Sequence, residues 1–126
     1  MKAYDLAGFQ EQKSIISSKL SQSILDQIRE ISKQKTNQEV CGIVYEFAGE
    51  PHILDCENLS DKKQTSFILN PRVLVDYDVV YVFHSHCIGS CDPSPYDKKC
   101  CEELCIPFII YSIRDNEFYL YENVGV

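Results

Sequence analysis

Several signals are missing from this chain, and each absence argues against a class of function. There is no basic surplus: 12 Lys and Arg stand against 19 Asp and Glu, a formal net charge of −7. A nucleic-acid binder would normally carry a basic stripe, so the composition argues against that class. No apolar run approaches the ~20 residues of a membrane span, and the polar N-terminus lacks a signal-peptide core. The expectation is a soluble, cytoplasmic protein with neither a nucleic-acid nor a membrane partner. No internal repeat or low-complexity segment divides the 126 residues. That length suits one domain, able to bury roughly two-thirds of its unfolded surface. The CxxC pairs of zinc ribbons are absent too, despite seven cysteines. An odd count without a signal peptide favours reduced thiols over a disulfide framework. The Cys87-x3-Cys91 and Cys101-x3-Cys105 spacings suggest a second metal site, but buried thiols acting as small hydrophobes account for Cys100, Cys101 and Cys105 as well, and that reading is preferred.

What is present is an α/β pattern. Residues 1–12 are polar and unpatterned and read as an N-terminal arm; residues 13–126 read as the domain. Lys13 to Ser17 has the look of a short edge strand. Leu20, Ile24, Ile28 and Ile31 recur at helical spacing, with Ser21 or Ser23 as cap. Val40 to Phe47, a turn at Ala48-Gly49-Glu50 and a second run from His52 to Cys56 predict a hairpin. Asn58 to Gln64 is a polar loop, Phe67-Ile68-Leu69 a short strand ended by Asn70-Pro71, and residues 72–78 a turn or short helix. Phe108 to Ile113 and Phe118 to Glu122 complete the strands. His52 has no partner at ligand spacing and reads as a surface residue of the hairpin.

The chemistry gathers around His84-Ser85-His86. The run Val79-Val80-Tyr81-Val82-Phe83 reads as a buried strand entering it. Because strand side chains alternate, both histidines project from one face, where two imidazoles can share a metal ion, and Ser85 from the other. Ser94-Pro95-Tyr96-Asp97 has the marks of a helix start: an N-cap serine, proline at the first helical position and a carboxylate at the capping-box position. Folded back over the strand end, that helix would bring Asp97 as a third ligand and Ser94 beside the metal. Two His and one carboxylate would leave a fourth zinc position open for water, as catalytic sites do. Each piece alone has a plainer reading, since HxH occurs by chance and Ser94 and Asp97 could do no more than cap a helix.

The joint spacing His84-x-His86, seven residues, Ser94, two residues, Asp97 resembles the JAMM motif of the JAB1/MPN metalloprotease family. Glu39-Val40-Cys41-Gly42-Ile43 is similar to that family's E-x-C-G-[IL] segment, in which the glutamate is the catalytic base. Within the family the likeness is to the JAB domain of phage tail-tip assembly proteins of the lambda K type. It runs through Asn58, Phe67-Ile68-Leu69-Asn70-Pro71, the histidines, Cys100-x-Glu102 and Pro107-Phe108. Where the family has proline after the second histidine, this chain has Cys87. The resemblance implies a single JAB1/MPN-like α/β domain: a mixed, curved sheet flanked by helices with zinc at one edge. It also implies a zinc-dependent peptidase or isopeptidase-like hydrolase. His84, His86 and Asp97 would hold Zn²⁺, Glu39 would be the base and Ser94 the oxyanion donor. A protein or peptide is the implied substrate, and phage tail proteins are implied partners, with virion association if the chain is phage-encoded. The alternative from another class is a metal-bound assembly module with little turnover. Amidohydrolase barrels, which also use HxH, need about 250 residues.

Overall fold

A computed structural model describes residues 20–122 in full and the backbone of residues 2–5. The 13–17 segment expected to be an edge strand lies outside the described residues. Helix α1 (Gln22–Lys33) begins where Ser21 accepts a hydrogen bond from the Ile24 amide at 3.3 Å. Its Ile24, Leu25 and Ile28 turn inward. The one polar intruder on that face, Ser32, is satisfied by donating to the Ile28 carbonyl at 2.7 Å, which removes the cost of burying its hydroxyl.

Strands β2 (Cys41–Phe47) and β3 (Glu50–Cys56) form the expected hairpin. Its two-residue connection, Ala48 and Gly49, has positive φ at both positions, 54° and 79°, the conformation whose twist matches that of paired strands. A short helix, α2 (Arg72–Asp76), precedes β4 (Val79–His86). Helix α3 (Pro95–Leu104) follows, closed at its C-terminus by Cys105 in the left-handed region. β5 (Phe108–Ser112) and β6 (Glu117–Glu122) end the described chain.

The strands make one sheet of order β1-β6-β5-β4-β2-β3, where β1 is Lys2–Asp5. Every neighbouring pair is antiparallel except β4 and β5, which run parallel, with α3 as their crossover. The sheet is therefore mixed and the fold α/β. One face packs on α1: Ile24 and Ile28 meet Val44, Phe83, Tyr111 and Leu120. The opposite face carries Ile43, Val82, Phe108 and Ile110 and packs against Cys101 and Leu104 of α3. Side-chain alternation along β4 sends Tyr81 and Phe83 to the α1 side and Val82 to the α3 side. His84 and His86 continue the α3 side.

Two readings of the sequence need correction. Phe67 to Leu69 is not a strand. The Ile68 amide donates instead to the Asn58 side chain at 3.1 Å, and the Ile68 carbonyl accepts from the Leu59 amide at 2.9 Å. The segment is apolar because it packs on β4 and α3, not because it pairs in the sheet. The residues read as an unpatterned arm include a strand, β1, which pairs with β6 from Lys2 opposite Glu122 to Asp5 opposite Tyr119.

Candidate metal centre

Three local structures deliver the site. The first is the end of β4. Its register sets His84 opposite Cys41, and the next rung is bonded both ways. The Ser85 amide donates to the Val40 carbonyl at 2.8 Å, and the Val40 amide donates to Ser85 Oγ at 2.9 Å. Ser85 thus clamps the approach to β2 and fixes Glu39, one residue further out, beside His86. Gly42 permits this close approach. A Cβ there would fall on the Leu54 carbonyl and come within 2.5 Å of the Phe83 ring.

The second is the start of α3. Ser94 Oγ accepts from the Asp97 amide at 3.0 Å, and Asp97 Oδ2 accepts from the Ser94 amide at 2.9 Å, a complete capping box. The expected helix start is therefore present, and it holds the Asp97 carboxylate against the histidines. Asp97 Oδ1 lies 2.9 Å from His84 Nε2, and Oδ2 lies 2.9 Å from His86 Nε2.

The third is the 58–68 loop, anchored by an amide whose role no local sequence pattern discloses. Asn58 is 2 % exposed. Its Nδ2 donates to the carbonyls of Glu39 (2.9 Å) and Ser66 (3.0 Å), and its Oδ1 accepts from the amides of Ser60 (3.0 Å) and Ile68 (3.1 Å). The Glu39 amide adds a bond to the Lys63 carbonyl at 2.6 Å. Glu39 is thereby held by its backbone on both sides, leaving its carboxylate to the site. The same loop presents Phe67, whose ring stacks on His84 with centroids 4.4 Å apart.

The structure therefore brings together all five residues singled out from the sequence. Glu39, His84 and His86 are buried, and one donor atom from each lies within 4.8 Å of the others. Asp97 bridges the two imidazoles from the side of α3, so Glu39 stands close enough to be a ligand as well as a base. A cleft of about 310 Å³ opens onto this group, lined by Glu39, Gln64, Thr65, His86, Ser90 and Ser94 among others. Cys87 donates its thiol to the Gln64 carbonyl at 3.3 Å. None of the seven cysteines is in a disulfide.

The electrostatics follow from burial against partners. Burial pushes the Glu39 carboxyl up to about 8; His86 opposes that shift and Asp97 reinforces it. Burial would also raise Asp97, but the closeness of His84 and the hydrogen bonds from His86 and the Ser94 amide win, holding it well below the usual carboxylate range. Burial dominates at His84 and lowers its pKa despite Asp97. At His86 burial also disfavours the charge, but Asp97 and the Ser90 carbonyl together outweigh it and the pKa rises.

These groups fit a metal ion. His86 Nδ1 lies 2.7 Å from the Ser90 carbonyl, which can only accept, so Nδ1 carries a hydrogen and Nε2, against Asp97 Oδ2 at 2.9 Å, is the nitrogen that a metal ion would use. The His84 contact with Asp97 is short but misaligned for a hydrogen bond. Both of its nitrogens are buried without a hydrogen-bond partner, as is Glu39 Oε1. Orphaned buried donors and acceptors are costly. A cation between two imidazoles and flanking carboxylates would take up one His84 nitrogen and the Glu39 oxygen together, and the carbonyl bond on His86 Nδ1 is how metal-binding histidines are commonly oriented.

No family model matches the chain, and no curated protein matches it. Among solved structures, it is similar to the solution structure of protein DSY2949 from Desulfitobacterium hafniense, at 18% identity and a TM-score of 0.59, over 75% of this chain and 73% of that one. At that identity the likeness concerns the fold alone. Among the described residues, no helix is long and apolar enough to cross a membrane.

Proposed function

We propose that this chain is a zinc-dependent hydrolase of peptide or isopeptide bonds, of the JAMM type that its motif resembles, acting on protein or peptide substrates and, if phage-encoded, in tail assembly or processing. The observation that carries the reading is the convergence of His84 Nε2 and His86 Nε2 on one carboxylate, Asp97, each at 2.9 Å, with Glu39 buried beside them. Two imidazoles and a carboxylate are the donor set of catalytic zinc, which keeps an open position. His84, His86 and Asp97 would hold the ion, which when bound supplies Lewis acidity and lowers the pKa of its water from near 16 to about 7.

The chain's own residues do the rest. Glu39 is the proton acceptor: it is buried beside both histidines, within reach of a water that the ion would hold, and there its carboxylate can take a proton from that water and return it to the leaving amine. Its backbone anchors to Asn58 and Lys63 keep it in place. Ser94 Oγ already accepts from the Asp97 amide, which leaves its hydroxyl hydrogen to donate toward a developing oxyanion in the cleft. The Phe67 ring covers His84 and keeps water off that side. The test is direct: purified protein, loaded with zinc and then stripped by a chelator, is incubated with peptide and isopeptide substrates. Cleavage that disappears with the metal and returns with it supports the hydrolase. Stoichiometric zinc with no cleavage of any substrate would instead favour the assembly-module reading.

A further inference from the structure

We infer that the apolar groove next to the catalytic cleft is a specificity pocket for one large apolar side chain of an extended peptide, two or three residues from the bond that is cut. This deepens the hydrolase reading and rests on it. The groove has a volume of about 230 Å³ and is lined chiefly by Phe67, Leu69, Leu74, Tyr96 and Leu104. Among the described residues no Asp, Glu, Lys or Arg lines it, although a quarter of the chain is charged. A charged side chain placed there would lose its water without gaining a partner, whereas a Leu, Met or Phe side chain would be removed from water at no polar cost.

The groove is contiguous with the cleft because two short segments wall both. Gln64 and Thr65 face the cleft, while Phe67, Ile68 and Leu69, next along the chain, face the groove. At the start of α3, Ser94 faces the cleft and Tyr96 the groove. The Tyr96 hydroxyl donates to the Phe67 carbonyl at 2.9 Å, tying the two segments into a single partition. The path across it is short. One segment passes from the cleft at Thr65 to the groove at Phe67 within two residues, a span that an extended peptide at ~3.3 Å per residue matches in two or three. A peptide with its reacting carbonyl over Glu39 and Ser94 therefore brings a nearby side chain over the groove. Ile68, 46 % exposed at the rim, would add apolar contact to that occupant.

The experiment uses blocked hexapeptides that differ only at one position, carrying Leu, Phe, Ala, Lys or Asp. Binding is measured by NMR titration of the full zinc-loaded chain carrying Glu39→Gln, and cleavage is measured with the wild-type chain. Leu and Phe peptides should bind about 10- to 100-fold more tightly than Lys or Asp peptides, with shifts at Leu69, Leu74 and Leu104. Leu104→Glu should abolish that preference and favour the Lys peptide, and Leu74→Ala, a milder change, should weaken Leu binding several-fold with folding retained. Equal binding of all five peptides, or a Leu preference that survives Leu104→Glu, overturns the pocket. So does concentration-dependent self-association that Leu104→Glu removes without altering peptide binding, because the groove would then seat a second copy. Cleavage of every peptide at one rate sinks the pocket and leaves the hydrolase standing. Selective binding through the groove without zinc-dependent cleavage keeps the recognition site and sinks the hydrolase.

Discussion

Replacing Glu39 with Gln separates chemistry from architecture. The carboxylate is 5 % exposed and Oε1 has no hydrogen-bond partner, while the backbone on either side of it is anchored through Asn58 and Lys63. Glutamine keeps the shape and loses the base, so the fold and the two histidines should be undisturbed. Hydrolysis should fall by about 10²–10⁴, the usual contribution of a positioned general base. Zinc content should stay near one per chain if Glu39 acts only on the water. The metal-free protein offers a second readout. The folded-state pKa of Glu39, about 8, lies above its ordinary 4.5, so between those values the folded chain holds a proton that the unfolded chain has released. The Glu39 contribution is therefore fully present below pH 4.5 and is lost as pH rises through about 8, with a slope of at most ~1.4 kcal/mol per pH unit. Urea denaturation of the metal-free wild-type across that range should show the decline, and Glu39→Gln should flatten it. Unchanged cleavage by the variant would place the base elsewhere. Loss of zinc would make Glu39 a ligand, as its closeness to both histidines permits, and the proton acceptor would have to be sought again.

His86→Ala removes one of the two converging imidazoles and should reduce zinc from about one per chain to background by atomic emission; full occupancy in the variant would refute the ligand assignment. Ser94→Ala should lower hydrolysis by about 10²–10³ through the lost oxyanion donor and stability by about 1 kcal/mol through the lost cap, read by kinetics and denaturant melts on the same sample. Gly42→Ala forces a methyl against the Leu54 carbonyl and the Phe83 ring; a cost of about 1–3 kcal/mol is expected, and a neutral melt would show that β2 and β4 have slack between them. Thiol titration of the denatured, unreduced protein should count seven free cysteines, since none is in a disulfide; two missing thiols would contradict that.

How much of this was legible in the sequence depended on whether the information was local. The β4 run and its two histidines could be placed because an unbroken apolar stretch buried on both faces looks like little else at that length. The start of α3 could be placed because Ser94, Pro95 and Asp97 form a capping code contained within four residues. The serines at 21 and 23 likewise marked the start of α1, and Ser21 is the cap. Where the code was not local, reading failed. Phe67 to Leu69 has the composition of a strand, but composition reports burial and not the partner of each amide. That partner, the Asn58 side chain, sits ten residues from Ile68. Residues 2–5 alternate too weakly to announce that they pair with β6 at the other end of the chain.

The candidate site combines both kinds of information, and this explains why its paired histidines were easier to read than its geometry. His84 and His86 share a face by strand alternation alone, so their pairing needed no knowledge of the fold. Glu39 lies 45 residues before His84, and its place beside the histidines depends on β2 and β4 pairing with Cys41 opposite His84. Three features enforce that register: the clamp between Val40 and Ser85, the missing side chain at Gly42, and the amide of Asn58. Neither the clamp nor the Asn58 amide announces itself by residue type. Serine at position 85 reads as projecting to the face opposite the histidines, and there its hydroxyl accepts the Val40 amide. The residue between the two histidines is therefore what sets Glu39 one rung beyond Val40, and a chain carrying the same histidines without that clamp would keep the imidazole pair but lose the placement of Glu39.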